Sequence, residues 1–172
     1  MRSRFVVEAI MLAVHGQMIV PTRPVEYVIP YPTIAELYEF RDSEDPIMHD
    51  QHEDQHVRDA ITDMIHFFEQ PFNKKKIERA WQVPWKKSPP LLVNERVTLF
   101  IVNALDNEHF GEFFDPIETV LLLTAIKERI PLITDHYEFQ EKLISGEIGV
   151  RVYDIEDFRY AVEDQMVLYE AD

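Results

Sequence analysis

The chain contains no cysteine, which excludes disulfides, cysteine-ligated zinc and thiol nucleophiles. Glycine is scarce, at 4 of 172 residues, while proline reaches 11. Turns must therefore be set by proline and aspartate more than by glycine. Basic residues are also few: 17 stand against 32 acidic ones, for a net charge of −15. A field of that sign repels nucleic acid and anionic membranes unless cations are concentrated locally. No apolar run approaches the ~20 residues that span a bilayer. Residues 1–16 begin basic and turn apolar, as a signal peptide does. Glu8 interrupts that run and no small-x-small cleavage site follows, so a cytoplasmic protein is expected.

What is present reads as one folded domain. Hydrophobic residues make up 46% and charged residues 28%, ordinary proportions for a globular chain long enough to bury a core. Residues 114–139 carry the clearest pattern: helix, short loop, buried strand, then an aspartate. Ile117, Val120, Leu121, Thr124, Ala125 and Glu128 recur at helical spacing. Leu132-Ile133-Thr134 suits a central strand covered on both faces. Asp115 opens the helix and Asp135 follows the strand.

Upstream, Phe5-Val6-Val7 predict a strand interrupted by Glu8, with a short helix over 9–16. Residues 25–29, between Pro24 and Pro30, predict an edge strand or extended loop. Residues 33–40 predict a helix with Thr33 as N-cap and Glu36 at capping-box spacing. Residues 47–70 predict a long helix or helix pair, 73–80 a short basic helix, and 81–90 an irregular stretch. Residues 91–105 are apolar and fit strand or helix. Over 96–105 a helix is expected, because Val97, Phe100, Ile101 and Ala104 share one face. An acidic loop over 106–114, a helix end and turn over 140–149, a strand over 150–153 and a last helix capped by Asp154 complete the chain. There is no internal repeat.

Strands alternating with helices predict a single α/β domain, with a mainly parallel central sheet flanked by helices. Such sheets bind ligands beyond the carboxyl ends of their strands. Glu8 and Asp135 should then project at one edge, and Glu36 and Asp115 are candidates to join them. Converging carboxylates cannot all stay charged without a cation. Mg²⁺ or Mn²⁺ accepts oxygen ligands of this kind, activates water and stabilises in-line displacement at phosphorus. Each residue also has a local explanation. Glu36 completes a capping box, Asp115 is an N-cap before Pro116, Asp135 caps a turn before Tyr137, and Glu8 marks a strand end.

Phe114-Asp115-x-x-Glu118 leading to Thr124-Ala125, then Pro131-Leu132-Ile133-Thr134-Asp135 and Phe139, resembles the PIN-domain (PIN-like) ribonucleases, including their toxin-type members. Gly149-Val150-Arg151-Val152 and Ile155-Glu156-Asp157-Phe158 are similar to that family's closing strand and helix. The stretch from Pro30 to Leu37 resembles the segment bearing its second acidic residue, and Val6 to Leu12 its opening strand. The resemblance covers about two thirds of the chain in pieces and leaves 41–111 as a helical, partly basic insertion, with an acidic tail over 160–172. It implies a three-layer domain and metal-dependent RNA cleavage. Glu8, Glu36, Asp115 and Asp135 would hold Mg²⁺ or Mn²⁺, with Thr134 as a supporting residue. It implies RNA as partner, admits a protein inhibitor or antitoxin and a homodimer, and gives no reason to expect a membrane. The chain departs from the family where Glu8-Ala9-Ile10 replaces an Asp followed by a hydroxyl residue. Glutamate moves the carboxylate by about 1.5 Å, and placement errors near 1 Å cost about 100-fold in rate. A catalytically degenerate PIN-like module that binds RNA or protein without cleaving is the alternative.

Two further stretches carry chemistry. Residues 74–87 hold six of the 17 basic residues, Lys74, Lys75, Lys76, Arg79, Lys86 and Lys87, together with both tryptophans, Trp81 and Trp85. Cations interleaved with aromatics suit single-stranded nucleic acid. Tryptophan is mostly buried, so a solvated basic helix end with both tryptophans tucked into the core is the reading favoured for this stretch. His52-Glu53-Asp54-Gln55-His56 matches the H-E-x-x-H pattern of zinc metalloproteases, and His49, His52 and His56 form a row at helical spacing. His66 and His109 are available as further ligands. The surroundings are polar on every face, so a solvated helix start is expected there.

Overall fold

The structure, a computed structural model, describes residues 3–105 and 113–164. Most of the expected acidic loop, His109 and the end of the acidic tail lie outside the described residues. In chain order the elements are β1 (Ser3–Val7), α1 (Ala9–Val14), β2 (Val25–Pro30), α2 (Tyr31–Asp42), α3 (Gln51–Glu69), α4 (Pro71–Ala80), β3 (Leu91–Leu92), β4 (Val97–Val102), α5 (Pro116–Glu128), β5 (Leu132–Ile133), α6 (Tyr137–Ser145), β6 (Val152–Tyr153) and α7 (Ile155–Arg159). The strands form one sheet in the order β3-β4-β2-β1-β5-β6, parallel except for β3.

Side chains alternate across this sheet. Phe5, Val7, Tyr27, Ile29, Leu99 and Ile101 enter a core shared with Met11, Leu37, Ile61, Ile77 and Phe158, so α1 to α4 and α7 cover that face. Val6, Val28, Val102 and Leu132 enter a second core with Leu122 and Leu143, so α5 and α6 cover the other. The result is the expected α/β domain of three layers. Burial on both faces explains why the strands read as apolar runs rather than alternating ones.

Three local expectations are corrected. Residues 97–102 form the strand β4, not a helix. A run in which Thr98 alone is polar satisfies a helical face and a doubly covered strand alike, and Val97, Thr98, Ile101 and Val102, all β-branched, decide for the strand. β2 is an interior strand held by β1 and β4, not an edge. Its flanking prolines stand just before it and at its last residue, where no interior ladder donor is lost. The helix expected from Thr33 begins at Tyr31, with Pro32 in its first turn, so Thr33 is not its cap. The 41–111 segment is helical only to Ala80 and then supplies β3 and β4.

The chain runs outward from β1 to β2 and β4, then crosses back to place β5 on the other side of β1. Connections therefore leave β1 and β5 in opposite directions. In open α/β sheets a crevice forms at such a switch point, beyond the carboxyl ends of the strands.

Candidate acidic site at the switch point

Val7 pairs with Ile133, so Glu8 and Thr134 leave the sheet side by side and Asp135 follows. Glu8 is 6% exposed. Its Oε1 accepts a 2.9 Å hydrogen bond from His136 Nε2. Asp135 Oδ2 accepts one of 3.0 Å from His15 Nε2, and its Oδ1 lies 3.9 Å from His136. The bond to Glu8 raises His136 to about 9, against the effect of its burial, with Asp135 and Glu118 adding to the rise. The bond from His15 holds the Asp135 carboxyl below the usual range.

Glu36 sits inside α2, and the structure removes its expected capping role. Thr33 instead donates its hydroxyl to the Pro30 carbonyl at 2.9 Å and accepts from the Ala9 N–H at 3.1 Å. That pair of bonds ties the start of α2 to the start of α1, next to Glu8. Burial, then repulsion from Glu8, Glu39 and Asp115, pushes the Glu36 carboxyl up to about 7, and His136 partly offsets the rise. Glu36 therefore shares one electrostatic field with Glu8 and Asp115.

Asp115 does cap its helix. Its Oδ1 accepts from the Glu118 N–H at 2.7 Å, and the Glu118 carboxylate accepts from the Asp115 N–H at 3.0 Å. Lys142 holds the same Glu118 at 2.8 Å. Asp135 caps nothing: α6 has His136 as its first flanking residue and no side-chain cap. Thr134 is buried, and its hydroxyl accepts from the His136 N–H at 3.2 Å, which fixes the turn carrying His136.

A cavity of about 790 Å³ is lined by all four expected carboxylates, Glu8, Glu36, Asp115 and Asp135, together with His15 and His136. Sequence reasoning missed both histidines. His136 directly follows Asp135 and His15 directly precedes Gly16, but neither belongs to a periodic pattern. Among the described residues, no three His, Asp or Glu side chains stand in position to hold an ion as they are. The donor set nonetheless suits a hard cation: four carboxylates at one cavity, with repulsion between them still felt at Glu36. Such an ion would compete with His15 and His136 for carboxylate oxygens of Asp135 and Glu8.

The basic, aromatic stretch does not line this cavity. Lys74, Lys75 and Arg79 are exposed on α4. Lys76 donates to the Pro90 carbonyl at 2.7 Å, Lys86 to Gln82 at 3.2 Å, and Lys87 to Glu128 at 3.1 Å. Burial of both tryptophans in the core is corrected. Trp81 is 45% exposed, with its ring edge-on to Tyr31 at 5.2 Å. Trp85 is half-buried beneath the Lys127 ammonium at 4.7 Å. Tyr31 follows β2 directly, and Trp85 bonds through its N–H to the Asn103 carbonyl just past β4. Trp81 therefore stands at the carboxyl edge of the sheet that carries the acidic cavity, whereas the Trp85 ring turns toward the end of α5 far from Asp115.

His52, Glu53 and His56 are exposed on the first turns of α3, and His49 is exposed just before it. Asp50 caps this helix by accepting from the His52 and Glu53 N–H groups. Asp54 turns back to accept from the Ile47 and Met48 N–H groups at 2.6 and 3.0 Å. The stretch is a solvated helix start, as its polarity implied. Among the described residues, no helix is long and apolar enough to cross a membrane. No protein-family model matches the chain, and no curated protein is significantly similar to it.

Proposed function

We propose that the chain is a PIN-like, metal-dependent ribonuclease that hydrolyses RNA phosphodiester bonds at this cavity. One observation carries the reading. Glu8, Glu36, Asp115 and Asp135 come from four separate parts of the chain, yet line one cavity at the switch point of the sheet. Local structure does not require this of Glu36 or Asp135, which cap no helix.

Glu8, Asp115 and Asp135, with Glu36, would hold Mg²⁺ or Mn²⁺, which when bound supplies an activated water and charge stabilisation at phosphorus. Glu36, poised at about 7, can take up or release a proton near neutral pH. Lys74, Lys75, Lys76, Arg79, Lys86 and Lys87, with Trp81 and Trp85, would retain the RNA. Strands are spaced ~4.8 Å apart, so the end of β4 lies roughly 10 Å along the edge from that of β1. Cations clustered in this way would offset the net charge of −15 where the substrate backbone approaches. The reading places the protein in the cytoplasm, with RNA as partner and with room for an inhibitory protein or a second copy.

The histidine pairs favour a second reading, a PIN-like module that binds RNA or a protein without cleaving. His136 and His15 already engage Glu8 and Asp135. The deciding experiment is incubation of labelled single-stranded RNA with Mn²⁺ and either wild type or Asp115→Asn. The cleaving reading expects degradation by wild type and about 100-fold or greater loss in the variant, a typical cost for removing one charge-stabilising group. RNA left intact by wild type in Mn²⁺ rejects it.

A further inference from the structure

The acidic cavity has a second, mostly apolar wall, which Ser43 and Asp45 also line. Residues 43–50 pass between α2 and α3, and Pro46, Ile47 and Met48 of this loop line the cavity together with Phe40 from the end of α2. Ile10 and Met11, which follow Glu8 in α1, line the cavity as well. The cavity thus joins a cluster of carboxylates to an aromatic and aliphatic surface. Phe40, Ile47 and Met48 pack against the core on one side and face the cavity on the other.

The loop has no regular secondary structure, yet a charged pair fixes its backbone. The Arg58 guanidinium donates to the carbonyls of Phe40, Ser43 and Asp45 at 3.4, 3.0 and 2.7 Å. Asp54 accepts from Ile47 and Met48 on the other side, and from Arg58 Nε at 2.9 Å. Those backbone bonds, with the Arg58 pair, hold the Asp54 carboxyl below its usual range. A wall held in this way presents its side chains with little ordering left to lose on binding.

We infer that Phe40, Ile47 and Met48 form a shelf on which one unpaired nucleobase of the RNA lies while its phosphate reaches the carboxylates. This rests on the RNA-cleaving reading of the site and adds to it a position for one base beside the cleaved phosphate. The cavity volume falls in the ~300–1,000 Å³ range of sites that enclose a small ligand. A base has an apolar face for the shelf, and its phosphate is an anion that needs the cation-loaded end. Bases in a duplex are stacked inside it and cannot enter such a cavity without being unpaired.

The test uses the full chain in Mn²⁺ and a 5′-labelled 2′-O-methyl RNA octamer, checked by gel to remain intact through the measurement. One position at a time is made abasic, and affinity is read by fluorescence anisotropy. One abasic position should weaken wild-type binding by about tenfold, the lower part of the range for a base stacked on one aromatic ring such as Phe40. In Met48→Ser and Ile47→Ser that contrast should fall to about twofold or less. Phe40→Ala should do the same, and the two loop variants keep the test valid if it fails to fold. Abasic sites tolerated everywhere, contrasts equal in wild type and variants, or no binding would each overturn the shelf. Cleavage of the unmodified octamer is followed in parallel. An octamer bound with one base-sensitive position but left uncut keeps the shelf and removes the nuclease. Cutting without a base-sensitive position does the reverse.

Discussion

Glu36 holds its proton up to near neutral pH because burial and three neighbouring carboxylates oppose its ionisation. Its folded-state value of about 7 exceeds the ordinary 4.5. Between those values the folded chain holds a proton that the unfolded chain has released. Folding is therefore progressively disfavoured as pH rises through this window, and the loss is complete above it. The full shift sets a ceiling of about 3 kcal/mol, and solvent screening leaves roughly half. Glu36→Gln should accordingly match wild type in thermal stability at pH 4 and exceed it at pH 8. The gain should be about 4 °C for a chain of this length. Circular-dichroism melts in a chelator, at both pH values, check this. A variant no more stable than wild type at pH 8 would show that Glu36 is not held in a repulsive field. The sequence offered Glu36 as half of a capping box. Only the placement of Thr33 against Ala9 reveals that the carboxylate is free for other work.

At the level of elements, the start of α5 is where structural and chemical roles overlap. Asp115 caps the helix through Oδ1 and also faces the cavity. The two roles separate by substitution, since asparagine caps about as well as aspartate but carries no charge. Asp115→Ala should cost about 1 kcal/mol of stability, while Asp115→Asn should stay within about 0.5 kcal/mol of wild type. Urea unfolding of both variants measures this. An Asp115→Asn loss as large as that of alanine would mean the cap depends on charge, and the asparagine variant would no longer isolate chemistry from folding. This start was legible because N-cap, proline and capping box follow one another in four residues. β4 was not legible, because an apolar run carries no period when both faces are covered. The loop wall was also hidden. Asp54 and Arg58 lie in a stretch that looks like a polar helix start, and their partners are backbone groups.

For the whole molecule, alternation of strands and helices was enough to foresee a parallel sheet with both faces covered. The carboxyl-edge rule then placed Glu8 and Asp135 together, as the structure does. The two histidines were beyond its reach, because a single side chain aimed at a site leaves no trace in periodicity. They also shape the last expectation. With a net charge of −15, the folded chain repels itself, and any salt relieves part of that strain by screening. A rise in melting temperature with MnCl₂ is thus meaningful only against NaCl at equal ionic strength. Over that control, an ion bound at the cavity should add RT ln(1 + [L]/Kd), about 2.7 kcal/mol at one hundred times Kd. That corresponds to roughly 5–10 °C for a chain of this size. Glu8→Gln combined with Asp135→Asn removes two of the oxygen donors and should abolish the excess while leaving the NaCl effect in place. An excess that survives in the double variant would put the ion elsewhere. Equal effects of the two salts in wild type would leave the carboxylates without the metal that the ribonuclease reading needs.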